Sequence, residues 1–79
     1  NLYKDRLTAL AEFILEEMKT DGLDFGPLTA SKLIDALGKP QIDLDQSVLR
    51  YLEQTLDDHI FEVEFEGDLE EFLVFTIDG

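Results

Sequence analysis

Tyr3, Leu7, Leu10, Ala11, Ile14 and Met18 recur at the spacing of one helical face, and Lys4, Asp5, Glu12, Glu16 and Lys19 fall mostly on the other. The pattern predicts an amphipathic helix over residues 2–20, with Phe13 and Leu15 at the edges of its apolar stripe and Asp21-Gly22 as its stop. Leu23-Asp24-Phe25 alternates apolar and polar and reads as a minimal strand closed by Gly26-Pro27. A second helix is predicted over 29–38. Thr29 suits its N-cap, Leu28 can staple against Leu33, and Leu33, Ile34 and Leu37 form its buried face. Gly38 suits the position just past its end, and Lys39-Pro40 prevents continuation.

Leu44, Val48, Leu49, Leu52 and Leu56 make a third stripe, and Asp43 with Gln46 three residues on matches a capping box. A third helix is therefore expected over 43–57, leaving abruptly at Asp57-Asp58, where acids oppose the helix dipole. Beyond it Phe61, Val63 and Phe65 alternate with Glu62, Glu64 and Glu66, the signature of a half-buried strand. Gly67-Asp68 marks a turn, and Phe72–Ile77 returns, giving a hairpin at 60–66 and 71–77.

With a four-residue loop, Phe65 is expected opposite Phe72 and Val63 opposite Val74 on the core side. The reverse face then carries Leu73, Phe75 and Ile77 beside the glutamates. That apolar strip needs a cover: the 23–25 strand, an N-terminal segment or a second copy of the chain. The expected core is Leu7, Leu10, Ile14, Leu33, Ile34, Leu37, Val48, Leu52, Leu56, Val63, Phe65 and Val74. The fold class that follows is α+β, three helices and then a C-terminal β-hairpin, in a single domain spanning 1–79.

Charge changes the picture more than composition does. The net charge is −13, and it is uneven: residues 1–56 hold ten acids and six bases, whereas 57–79 hold nine acids with no lysine or arginine. Such a field repels phosphate backbones and anionic lipid and attracts basic partners. A solubilising surface explains the net charge but not its concentration on the hairpin, where Glu62, Glu64, Glu66, Asp68, Glu70 and Glu71 gather. Cysteine is absent, which excludes disulfides and thiolate metal sites. No apolar run reaches the length of a membrane span and no basic-then-apolar segment opens the chain, so a cytoplasmic location is expected by elimination. A chain opening on Asn1 is expected to be trimmed or cut from something longer.

The order helix, short strand, helix, helix, hairpin resembles a winged-helix domain. "LTASKLIDALG" is similar to the first helix of many helix-turn-helix pairs, "DQSVLRYLEQTL" to the helix that follows, and "IFEVEFEG…FLVFTI" to the wing. The resemblance is one of element order and apolar spacing over nearly the whole chain. The DNA-binding members of that superfamily place basic and amide side chains in the groove and Arg or Lys on the wing. Here residues 43–58 carry five acids and one base, Arg50, and the wing carries no base at all, so direct nucleic-acid binding is not expected.

Catalytic chemistry finds little support. His59 is the single histidine and falls at a junction between elements, where a structural or solvent-facing role is the simpler reading. Ser31 and Ser47 sit where helix first turns are expected, and the five glycines fall at turns or at the chain end. Glu62 to Glu71 lack calcium-loop spacing, and outward-pointing strand carboxylates do not converge on an ion. No catalytic residue, cofactor or metal is expected. The expectation is a non-enzymatic acidic protein-interaction module or small regulator, with Phe13, Leu73, Phe75 and Ile77 as interface anchors, a basic protein partner and a homodimer. Two alternatives stay open: an acidic inhibitor that mimics DNA, and a DNA-binding regulator whose basic segment lies outside this chain.

Overall fold

The structure is a computed structural model, and it describes residues 2–78. Helix α1 spans Leu2–Thr20 and α2 spans Ala30–Leu37, followed by strands β1 (Gln41–Asp43), β2 (Val48–Tyr51), β3 (Ile60–Glu66) and β4 (Glu71–Asp78). The strands form one antiparallel sheet in the order β1-β2-β3-β4, a plain meander. The Thr29 side chain accepts from the backbone N–H of Lys32, as an N-cap should, and Gly38 closes α2 at a positive φ of 69°.

The α+β class holds, but the chain has two helices and four strands, not three helices and a hairpin. The segment read as a third helix is the β1–β2 hairpin and the loop after it. Asp43 and Gln46 do bond as the capping pattern required, with Gln46 N–H donating to Asp43 Oδ1 at 3.0 Å, but the bond closes a turn. Asx bonds serve turns as well as helix starts. Ser47 then takes the left-handed region at φ 56°, which ends any helix, and Val48–Tyr51 pairs with β3. This segment also supplied the second helix of the winged-helix resemblance, so that element order is not the one the chain adopts. Leu23–Phe25 is irregular, turned by the Gly26 N–H bonded to Asp24 Oδ1, and Phe25 packs against Phe61 at 6.1 Å between ring centroids.

Both helices lie on one face of the sheet. Leu10, Ala11, Ile14 and Met18 of α1 and Leu33 and Leu37 of α2 form one buried cluster with Leu49, Tyr51, Phe61, Val63, Phe65, Leu69 and Phe75. Period-two alternation puts Leu49, Tyr51, Phe61, Val63 and Phe65 on that face. Leu7, Ile34 and Leu56 pack at its margin.

Three residues expected in the core lie outside it. Val48 is buried, but on the face of the sheet turned away from the helices. Leu52 is 48% exposed because β2 ends at Tyr51 and the chain leaves the sheet there. Val74 is 40% exposed because β4 carries a bulge. Phe65 faces Phe72 as expected, but Glu64 faces Val74 and Val63 faces Phe75, so Leu73 is left without a partner in β3. One extra residue reverses the phase of the strand beyond it.

The β2–β3 connection is organised by Gln54, which is buried. Its Nε2 donates to the carbonyls of Asp57 and His59, and its Oε1 accepts from the N–H groups of Leu56 and Asp57. The Thr55 N–H donates to the Ala36 carbonyl at 3.0 Å, tying this loop to the end of α2. A leucine at position 54 would strand these backbone groups. Gln54→Leu is expected to cost about 2–3 kcal/mol in urea unfolding, since unmet buried polar groups cost about 1–3 kcal/mol each. A loss below about 0.5 kcal/mol would show that water takes over the amide's bonds.

Candidate functional site

The face of the sheet turned away from the helices is open. Across it run two rows: Gln41, Arg50, Glu62 and Thr76, then Asp43, Val48, Glu64 and Val74. Arg50 is the single base among the strand residues. It is held by Glu62 (Nε to Oε2, 2.8 Å), Asp43 (3.2 Å) and Gln46 (3.2 Å). The Gln46 N–H and then the Arg50 guanidinium hold the Asp43 carboxyl below its ordinary value of 3.8. Asp43 and Glu62 push the guanidinium of Arg50 up. The pairing leaves Glu64 exposed between Val48 and the exposed Val74, with Leu73 also 48% exposed.

The acidic turn Gly67–Glu70 is fixed from behind. Arg6 of α1 donates to the carbonyls of Leu69 (2.9 Å) and Glu70 (3.0 Å), and its guanidinium lies 5.5 Å from the Phe72 ring centre. Leu69 adopts φ 62° with its side chain buried. A left-handed leucine costs roughly 1–2 kcal/mol, which burial of the side chain, about 1.5–3 kcal/mol, offsets. Asp68, Glu70 and Glu71 are thereby presented outward, and Glu71 sits directly opposite Glu66.

The anchor residues expected from sequence do not share a surface. Phe75 is 5% exposed, edge-on to Phe61 at 5.4 Å, because the bulge at Leu73 turns it into the core. Phe13 is half-buried against Phe72 at 5.9 Å. Ile77 faces the core side, where its margin lines a cleft of about 410 Å³ with Leu23, Phe25 and Asp57. Leu73 alone of the four is well exposed. The homodimer argued from a continuous Leu73–Phe75–Ile77 strip therefore loses its geometric basis. Among the acidic residues, Glu64, Glu66, Asp68, Glu70 and Glu71 are exposed, and Glu62 is half-buried with Arg50. His59 is exposed and its Nδ1 contacts Asp57 Oδ1, which lowers the Asp57 carboxyl.

What sequence reasoning missed lies at β1. Ile42, just before the expected third helix, and Leu44, on that helix's inner stripe, are 47% and 79% exposed on an edge strand and the turn after it. Toward the β3–β4 turn they line a largely apolar cleft of about 300 Å³ with Leu2, Tyr3, Phe65, Gly67, Asp68 and Leu69. They also line a cleft of about 420 Å³ with Gln41, Asp43, Asp45 and Arg50. Only the correct β1–β2 pairing makes these two clefts visible.

Among the described residues no group of three or more His, Cys, Asp or Glu side chains is placed to hold a metal ion, and no helix is long and apolar enough to cross a membrane. No family model matches the chain, and comparisons with curated proteins and with solved structures give no match.

The depressed Asp43 carboxyl has a pH consequence. Its charge contributes stability that is present in full above its unfolded value, near 3.8, and lost as pH falls through the lower folded value. Asp43→Asn, which keeps the turn acceptor, is expected to lower the urea midpoint at neutral pH, with the difference from wild type closing below that window. An equal difference at neutral and strongly acidic pH would place the effect in shape and not charge.

Proposed function

We propose that this chain is a non-enzymatic protein-interaction module whose open sheet face and acidic β3–β4 turn receive a basic partner. The observation that carries the reading is the helix-free face, where exposed Val74 and Leu73 adjoin the exposed carboxylates of Glu64, Glu66 and Glu71. Apolar contact flanked by charge is the pattern of a protein interface, the apolar part giving affinity and the charge giving orientation and approach rate. A second support is the Glu66–Glu71 pair. Like charges directly opposite one another destabilise a sheet, and basic groups on a partner relieve that repulsion.

The test is affinity capture on immobilised chain, comparing wild type with the triple variant Glu64→Gln, Glu66→Gln, Asp68→Asn. Basic proteins retained by wild type are expected to be lost from the variant. Retention resisting moderate salt identifies an apolar-anchored interface, whereas steep loss with salt and competition by duplex DNA favour an acidic mimic of nucleic acid. Equal retention on both columns, or none on either, counts against the reading.

A further inference from the structure

We infer that the cleft between the start of α1, the β1–β2 turn and the β3–β4 turn receives one aromatic side chain, carried on a lysine- or arginine-rich segment of the partner. The inference rests on the interaction-module reading and names the partner's anchor and its seat. Seven large hydrophobic residues are exposed among those described, and three of them, Leu2, Ile42 and Leu44, gather at this one cleft. Phe65 and Leu69, both buried, join its lining to the core. Its volume of about 300 Å³ lies at the bottom of the range for drug-sized ligands, and suits an anchoring side chain better than a cofactor.

The cleft is preformed in the isolated chain. The Phe65 N–H donates to the Ser47 carbonyl at 2.9 Å and fixes the β1–β2 turn beside the end of β3. Arg6 donates to the Leu69 and Glu70 carbonyls and fixes the β3–β4 turn against α1. The Tyr3–Tyr51 hydroxyl pair fixes the start of α1 to the end of β2. Three walls are thus held by bonds between residues far apart in the chain, so an entering side chain is spared the cost of ordering them. Aromatic side chains bring large apolar area on two rotatable bonds, which is why they anchor interfaces in seats of this kind.

Charge selects the segment that carries the anchor. Asp68 lines the cleft, and Asp45, next to Leu44 in the chain, lines the neighbouring one. Neither enters an ion pair among the described residues, and no lysine or arginine lines the apolar cleft. Asp68 also belongs to the acidic turn of the proposed interface, so cleft and turn form one continuous surface. Cationic residues on either side of the anchor meet Asp45 and Asp68 there. The cleft of about 410 Å³ beside Ile77 is a poorer seat: Leu23 is its one large exposed hydrophobic, and its Asp57 already contacts His59. A second copy of this chain is a poor occupant, since each carries −13.

The chain has no tryptophan, so the fluorescence of a tryptophan in a peptide reports on that residue alone. The experiment titrates the chain into a terminally blocked lysine–serine peptide with one central tryptophan, then displaces it with the same peptide carrying alanine there. The tryptophan peptide is expected to bind at least about tenfold tighter, with its emission shifted to the blue. Leu44→Asp separates the mechanisms. The added charge strengthens attraction of both peptides if charge alone acts, whereas loss of the anchor's wall is expected to cut the tryptophan-over-alanine preference to under about twofold. Leu44 is exposed enough that the variant retains its fold, which circular dichroism verifies. Leu23→Asp adds the same charge at the other cleft and is expected to keep the preference. Equal binding of the two peptides, or a preference that survives Leu44→Asp or is lost in Leu23→Asp, overturns the anchor cleft while leaving a basic partner on the open face intact. Binding of N-acetyltryptophanamide as tight as that of the peptide makes a small apolar molecule the occupant, and a dimer that Leu44→Asp dissociates makes it a second copy; either overturns the inference. Absence of binding by either peptide overturns it too, and the capture experiment then judges the module reading by itself.

Discussion

The register between β2 and β3 is the constraint on which the rest of this molecule hangs. These are the two central strands, and they are joined by an irregular loop whose polar groups converge on the buried Gln54 amide. That amide sets where the chain re-enters the sheet, and so pairs Leu49 with Val63 and Tyr51 with Phe61. A slip of one residue would move one strand's pair, Leu49 and Tyr51 or Val63 and Phe61, to the opposite face and set charge against the helices. The Tyr51 hydroxyl adds a cross-check from outside the sheet. It meets the Tyr3 hydroxyl at 2.8 Å, so the start of α1 is bonded to the end of β2, and burial pushes both phenols up from their ordinary value. Once this register stands, β1 and β4 add at the two sides, and the helices cover the face that the register made apolar.

Sequence patterning was informative where a segment carries one period over many residues. The stripe from Tyr3 to Met18 gives α1, and the Phe-Glu-Val-Glu-Phe alternation gives β3 on the expected side of the sheet. It failed over 43–57 because two periods fit the same residues. Leu44, Val48, Leu49, Leu52 and Leu56 match a helical stripe, yet Val48 and Leu49 are buried on opposite faces of a strand. A run buried on both faces has no alternation to show. The Asp43–Gln46 pair added false support, since its hydrogen bond forms in a turn as readily as at a helix start. What decided the outcome was partnership at long range with Ile60–Glu66, which local spacing does not contain.

The bulge at Leu73 shows the same limit on a smaller scale. Phe72 to Ile77 is apolar at five of six positions, so its phase cannot be read from alternation. Phe65–Phe72 pairing came out right because the Gly67-Asp68 turn fixes it from nearby, and every pairing beyond the bulge came out shifted. The consequence for function is large. An aromatic that reads as an exposed anchor, Phe75, is core, while Val74, which reads as core, joins the open face. The β1 clefts were illegible for a related reason: Ile42 lay outside the expected helix and Leu44 lay on its inner stripe.

The charge distribution is then the feature that folding leaves unexplained. A two-layer domain of 79 residues buries a modest core and stands on a narrow margin. Its helix-covered face is well satisfied, with no buried side-chain polar atom lacking a partner among the described residues. Its other face sets Glu66 against Glu71 and leaves Glu64 without a counter-charge across the strands. Arg50 shows that the face tolerates a base, since Asp43 and Glu62 both use it. Repulsion of this kind is a free-energy gap between the isolated chain and one bearing opposite charge on that face. Any ligand that closes the gap binds the folded state more tightly and stabilises it by the same linkage. Stability given up on one face of a small sheet is thereby convertible into affinity for a basic partner.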